Sequence, residues 1–128
     1  MPNYLISFDD DAMQFSDEEL IEVGETAREV VREAKAAGVW IFGGGVDYGA
    51  QGSIVDGDGN VTDVPYPARK DRIGGMSVIS APNRQEALRW AARFAAGCRV
   101  PQFVREFMDD PESVNEPGEG SAREIHAS

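Results

Sequence analysis

The residues that could do chemistry concentrate in one short loop, DVPYPARKDRIGG, which starts at Asp63. Arg69, Lys70 and Arg72 bring three cations into four positions of a chain whose net charge is -11. Cations this close together can hold a small anion, or stabilise negative charge that develops on a reacting oxygen. They also suit a solvated crossover, made stiff by its prolines, in which they pair with Asp63 and Asp71.

If this loop borders a cleft, it supplies both catalytic and binding groups. Asp63 is the candidate general base, provided that burial makes its carboxylate more basic. Lys70 is the second candidate catalytic residue, since an ammonium group can hold an enolate-like oxygen. The predicted ligand-binding residues are Tyr66, Arg69, Arg72 and Tyr48. Tyr4 and Trp40 can also line a pocket, although Trp40 equally suits a core and Tyr4 a dimer interface.

The sequence lacks the residues that several other kinds of site require. The single histidine, His126, is close to the end of the sequence, so no histidine-based triad can form in a folded core. The single cysteine, Cys98, excludes an internal disulfide framework and a cysteine-rich metal site. The stretch from Asp56 resembles the start of a calcium loop, but Val61 stands where that loop needs glycine, so it predicts a turn. We expect neither a metal nor a cofactor.

Charge and hydropathy restrict the partners. A sequence pI near 4.4 argues against nucleic acid, because binding it requires a wide basic face. No stretch approaches the roughly 18 apolar residues of a membrane span, and the N-terminus has no signal-peptide pattern. We therefore expect a cytoplasmic protein that contacts neither nucleic acid nor membrane.

Helix signals occur twice. Ser16 and Glu19 form a capping box, and Gly38 marks the end of that first helix. Asn83 begins the second helix, which we expect to end at Gly97. The apolar stripe predicted for the first helix consists of Leu20, Val23, Ala27, Val30, Val31 and Ala34. The inner stripe predicted for the second consists of Leu88, Ala91, Ala92 and Ala95.

The remaining apolar runs indicate strands at residues 3–8, 39–42, 51–55, 60–64, 75–80 and 99–107. The two runs that flank DGDGN form a hairpin. The glycines at 43–45 indicate a bulge or a close backbone approach at the end of a strand, a place that can also border a ligand cleft.

The order of elements predicts an α+β fold of the ferredoxin-like type, βαβ-hairpin-βαβ, with an antiparallel sheet. Both helices then cover one face of the sheet, and a second copy of the chain is the simplest cover for the other face. We therefore expect a homodimer. Residues 1–108 form the predicted domain, and residues 109–128 a polar, acidic and flexible tail.

The loop from Asp63 to Gly75 resembles the signature of the DGPF proteins, a branch of the YCII-related superfamily. Asp63, Pro65, Lys70 and the two glycines match it, whereas Val64 departs from its glycine. The run SAPNRQEALRWAARFAAG is similar to the second helix of that family, and RVPQFVREF to its last strand. The resemblance implies a dimeric α+β barrel. It supplies no activity, since this chain lacks the histidine of the His-Asp pair associated with YCII-type relatives.

Two functions stay open at this point. The first is a protein of this family that binds a small molecule, or an enzyme that acts on a small anionic or carbonyl ligand. The alternative is a non-catalytic regulatory or protein-interaction module. A purely structural reading, in which the basic loop seals a dimer interface, also fits the sequence.

Overall fold

The computed structural model describes residues 1–64 and 73–113 of the chain. Their elements are β1 (Asn3–Asp9), a short 3-10 helix (Asp10–Ala12), α1 (Asp17–Ala36), β2 (Trp40–Gly45), β3 (Gly52–Val55), β4 (Val61–Val64), β5 (Ile73–Ser80), α2 (Arg84–Cys98) and β6 (Phe103–Glu106).

Four strands form one antiparallel sheet in the order β2-β5-β1-β6, and β3 pairs with β4 in a separate hairpin. Apart from that hairpin, each half of the chain is a strand, a helix and a strand, and the two halves interleave in the sheet. The predicted α+β, ferredoxin-like fold is therefore confirmed.

The start of α1 is fixed by the capping box that the sequence predicts. The Ser16 hydroxyl accepts a hydrogen bond from the Glu19 amide, and the Glu19 carboxylate accepts one from the Ser16 amide. The bond from the Ser16 amide and, after it, the interaction of the carboxylate with the Ser16 hydroxyl lower the pKa of Glu19. Gly38, with φ of 77°, follows the helix in the left-handed region that favours glycine.

The end of α2 corrects one prediction. The helix does not stop at Gly97; it continues to Cys98, and Arg99 takes the left-handed conformation with φ of 61°. The predicted inner stripe is right at Ala91, which is buried, and wrong at Leu88 and Ala92, which are exposed. The buried residues of α2 are Ala87, Ala91, Phe94 and Gly97.

The core lies between the two helices and one face of the sheet. Tyr4, Ile6 and Ile79 are almost completely buried there, and Tyr4 pairs with Ile79 across neighbouring strands. Tyr4 therefore belongs to the core under the helices and not to the opposite face, where a dimer interface was expected. Trp40 packs against Phe94 with ring centroids 6.0 Å apart.

The opposite face of the sheet carries no helix. Leu5 and Val78 project there from the central strands and are half-buried, whereas Phe42 is 64% exposed and Phe103 is 53% exposed. We call this surface the open sheet face. The chain segment after β6 borders it, because Phe107 and Met108 share a crevice with Val78.

The predicted hairpin is confirmed, and Asp56 organises its turn. One oxygen of the Asp56 carboxylate accepts the amide hydrogens of Asp58 and Asn60, and the other accepts the Asn60 side-chain amide. These bonds, that from the Asn60 side chain above all, lower the pKa of Asp56. Every residue of β3 and β4 except Val64 is exposed.

Gly97 sits where α1 and α2 cross. A Cβ atom at Gly97 would stand 2.9 Å from Val30 Cγ2 and 3.0 Å from the Thr26 carbonyl oxygen. The Thr26 hydroxyl also donates a 2.5 Å hydrogen bond to the Gly97 carbonyl. Glycine at this position therefore serves the close approach of two helices, not the end of one.

Replacing Gly97 by Ala is expected to destabilise the fold by about 1–3 kcal/mol, because the added methyl group overpacks the helix crossing. Urea unfolding measures the change. The matched control is Gly24→Ala in α1, where the three atoms nearest to an added Cβ would all belong to the Arg28 guanidinium, at 3.6 Å or more. That control should stabilise the fold by about 0.5–1 kcal/mol, the usual gain in a helix. Equal effects of both changes would contradict the tight crossing.

Candidate functional site

A cleft of about 590 Å³ lies between α1 and the sheet. Its size falls within the range of about 300–1,000 Å³ that is usual for small-molecule sites. One long side of α1 forms its first wall and β2 forms the second. Side chains of β1, β5 and α2, among them Phe8, Ser77 and Cys98, complete it.

The α1 wall is a stripe of side chains at helical spacing. Leu20, Val23, Ala27 and Val31 line the cleft from successive turns. The predicted apolar stripe therefore has two parts. Val30 and Ala34 are buried in the core with α2, whereas the side toward β2 borders open space.

The β2 wall is largely bare main chain, because Gly43, Gly44 and Gly45 form its second half. The predicted close backbone approach is found at Gly43, where a Cβ atom would stand 2.6 Å from the Met76 carbonyl oxygen. The predicted bulge lies earlier, between Trp40 and Phe42. The glycines are thus the last three residues of the strand, as predicted, and they line the cleft.

Two cations, Arg28 and Lys35, line the cleft from α1, and no carboxylate of the described residues lines it. Arg28 donates a 3.2 Å hydrogen bond to one oxygen of Glu25, whose other oxygen accepts from Arg32. Hydrogen bonds from Arg32 and Arg28 lower the pKa of Glu25. The Lys35 ammonium group makes no hydrogen bond or ion pair with any other residue that the structure describes.

The structure places two of the predicted site residues. Asp63 is exposed on the hairpin, where its carboxylate accepts a 2.8 Å hydrogen bond from Ser53, and it does not line the cleft. Tyr48 lies in the loop after β2 and donates a 2.9 Å hydrogen bond to the Ile73 carbonyl oxygen. The other four lie outside the described residues: Tyr66, Arg69, Lys70 and Arg72. The catalytic and binding roles of all six stay predictions.

The basic loop rejoins the sheet next to the cleft. Ile73, which directly follows it, pairs with Asp9, and the Val46 amide donates to the Gly74 carbonyl oxygen. Phe8 and Gly45, the neighbours of Asp9 and Val46 in sequence, line this end of the cleft. The described residues that follow positions 65–72 therefore lie next to the cleft, whereas those that precede these positions belong to the exposed hairpin.

Arg28 and Lys35 were not identified from the sequence as candidate site residues. The available signal was their spacing: positions 24, 28, 31 and 35 of one helix share a side with Val23 and Ala27.

Asp10 and Asp11, in the aspartate run after β1, lie in the short 3-10 helix. Among residues 1–64 and 73–113, no group of three or more possible metal ligands comes together. Neither helix of the described part is long and apolar enough to cross a membrane.

Cys98 offers a direct probe of the cleft. Burial raises the pKa of the Cys98 thiol, so less thiolate is present at a given pH than in a free cysteine with a pKa of about 8.5. We expect iodoacetamide to alkylate the folded protein more slowly than the urea-unfolded protein between about pH 7 and 9. The same rate in both states would contradict this burial. A bound ligand should slow the reaction further, because Cys98 lines the cleft.

The comparisons with known proteins give one match. A family model described as the YCII-related domain matches residues 3–98 of the chain, from β1 through the last turn of α2. The matched segment therefore contains both helices and both walls of the cleft. No curated protein matches the chain. Because the match covers most of the sequence, the chain belongs to the YCII-related domain family.

Proposed function

We propose that this chain binds a small organic anion with an apolar body, and that the ligand occupies the cleft between α1 and β2. The observation that carries this proposal is the lining of the cleft, which is mainly apolar and contains two cations but no carboxylate of the described residues. Apolar walls with a few convergent polar groups are typical of ligand sites.

The excess of acidic residues in the chain makes a lining without carboxylates unusual. The sequence has 23 acidic residues and 12 basic ones, so an exposed groove would ordinarily include carboxylates. An anion 4 Å from a cation gains about 4 kcal/mol at the effective dielectric constant of a protein surface. A carboxylate in the lining would offset that gain by repulsion. The arrangement therefore favours a negative ligand over a positive one.

An enzymatic role would add the basic loop to this site. Lys70, Arg69, Arg72 and Tyr66 are proposed to approach the ligand from the cleft end at which Ile73 joins the sheet. Tyr48, bonded to the Ile73 carbonyl, is proposed to support that end. Asp63 is exposed, so its proposed role as general base requires that a ligand or a partner subunit cover it.

The proposal is tested by measuring the shift in melting temperature with matched acids and amides, such as benzoate against benzamide and 2-naphthoate against 2-naphthamide. We expect the acids to stabilise the protein and the amides to have little effect. Removing both cleft cations, in Arg28→Ala/Lys35→Ala, should weaken acid binding at least about tenfold, because the charge-assisted contact to the carboxylate is lost. The matched control is Arg89→Ala, which removes an exposed cation of α2 that pairs with Glu86. Equal shifts with acids and amides would contradict the proposal.

We also propose that a second copy of the chain covers the open sheet face. Phe42 and Phe103 are exposed on this face, and each large apolar side chain that becomes buried contributes about 1.5–3 kcal/mol. The Asn3 side-chain oxygen is buried beside the same face and has no hydrogen-bond partner among the described residues. A partner surface would bury the rings and can supply a donor to Asn3.

The interface is tested by sedimentation of Phe103→Lys. We expect the wild type to be a dimer at micromolar concentration and the variant to be a folded monomer, because the lysine places a charge in the interface. The matched control is Leu88→Lys, which puts the same charge on an exposed residue of α2. A monomeric wild type would contradict the homodimer, and would favour the alternative in which this face serves a regulatory or protein-interaction module.

A further inference from the structure

We infer that the cleft selects flat aromatic carboxylates: the ring lies against the bare main chain of β2, and the carboxylate is held by Arg28 beside Gly24. This inference rests on the proposed function, because it names the class of anion that the same cleft takes. Gly24 and Gly45 are then the residues that determine specificity.

Neither Gly24 nor Gly45 is required by backbone conformation or by packing. Neither has a positive φ. The three atoms nearest to a Cβ on Gly24 would all belong to the Arg28 guanidinium, at 3.6–3.9 Å, and a Cβ on Gly45 would contact only the Gly74 carbonyl oxygen, at 3.7 Å. By contrast, Gly43 is required by packing, since its Cβ would stand 2.6 Å from the Met76 oxygen.

Each of these two glycines therefore lowers the conformational stability of its element, although neither backbone conformation nor core packing requires a glycine there. Glycine inside a helix or a strand is destabilising relative to alanine. Gly24 lies inside α1 and Gly45 ends β2, and they line the two opposite walls of the cleft. What they provide is space: a side chain on Gly45 would project into the slot, and one on Gly24 would meet the Arg28 guanidinium that lies beside it.

The rings of Trp40 and Phe8 border this slot on the sheet side. Cη2 of Trp40 stands 2.7 Å from the position of a Cβ on Gly43, so the indole lies against that residue. Cζ of Phe8 stands 2.8 Å from the position of a Cβ on Gly75, which pairs with Gly45. The bare strand is thus flanked by two aromatic side chains. A flat ring can contact both the peptide groups and the edges of these rings.

Arg28 provides the matching anion site on the helix side. Its guanidinium lies over the position at which Gly24 lacks a side chain. Glu25 holds it through one 3.2 Å contact and is itself held by Arg32. The guanidinium has five N–H donors in a planar fork, so donors remain for a carboxylate, which the fork can bind through both oxygens. Glu25 is the positioning residue for this fork.

The test compares 2-naphthoate, which is flat, with decanoate, which is a straight-chain carboxylate, by isothermal titration calorimetry. We expect wild-type protein to bind 2-naphthoate about tenfold more tightly. Gly24→Leu should weaken binding of 2-naphthoate by at least about tenfold, because its side chain would meet the Arg28 guanidinium that holds the carboxylate. The matched control, Ala36→Leu, adds the same side chain to an exposed residue of α1 and should leave binding unchanged.

Two further variants keep the test independent of folding. Gly24→Ala is expected to raise the melting temperature of the free protein and to bind 2-naphthoate more weakly, two changes that a merely structural glycine would not combine. Arg28→Lys keeps the charge but removes the fork that binds the carboxylate, so 2-naphthoate and decanoate should both bind more weakly while the preference for 2-naphthoate is kept.

These measurements distinguish the selection of aromatic carboxylates from the more general proposal of anion binding. Equal affinity for 2-naphthoate and decanoate, or unchanged binding by Gly24→Leu and Gly24→Ala, would overturn this inference and leave anion binding intact. Failure of the wild type to bind any of the carboxylates would overturn the proposed function as well.

Discussion

The close crossing of the two helices at Gly97 determines how the rest of the domain is arranged. Val30 and the Thr26 carbonyl leave too little room for a Cβ atom on Gly97, and the Thr26 hydroxyl donates a hydrogen bond that joins the two helices. This contact holds α1 against α2, so one side of α1 is buried in the core. The other side faces β2 across open space. The cleft is therefore a consequence of where the helix crossing places α1.

The sheet contributes to the same result through its glycines. Large side chains along the second half of β2 would fill the space under α1, but Gly43, Gly44 and Gly45 leave main chain there. The uncovered part of the α1 stripe then borders a cavity instead of a packed core. Arg28 and Lys35 add positive charge to a cavity that no carboxylate of the described residues lines. Packing and charge thus favour the same kind of occupant, a small anion with an apolar body.

Much of this fold could be predicted from local sequence. The capping box at Ser16 and the turn at Asp56 follow from short-range patterns that the structure repeats, and the order of elements along the chain predicted the ferredoxin-like fold. The candidate site was harder to predict. Cations that are adjacent in sequence form an obvious cluster, whereas cations that a helix brings to one side are recognised only from their helical spacing. Gly97 was misjudged for a related reason: a glycine near a helix end suggests a stop, and only the neighbouring helix shows that it serves packing. The residue types of the α1 stripe do not reveal whether it meets side chains or a cavity.

The most direct measurement of the central claim is the change in backbone amide NMR shifts when 2-naphthoate is added to ¹⁵N-labelled protein. If the ligand lies between α1 and β2, the largest changes fall on the amides of Gly24, Arg28 and residues 43–45. Small changes are then expected in the hairpin around Asp56 and at Phe103 on the open sheet face. Large shifts confined to the open sheet face or the hairpin, with Gly24 and residues 43–45 unaffected, would contradict the account.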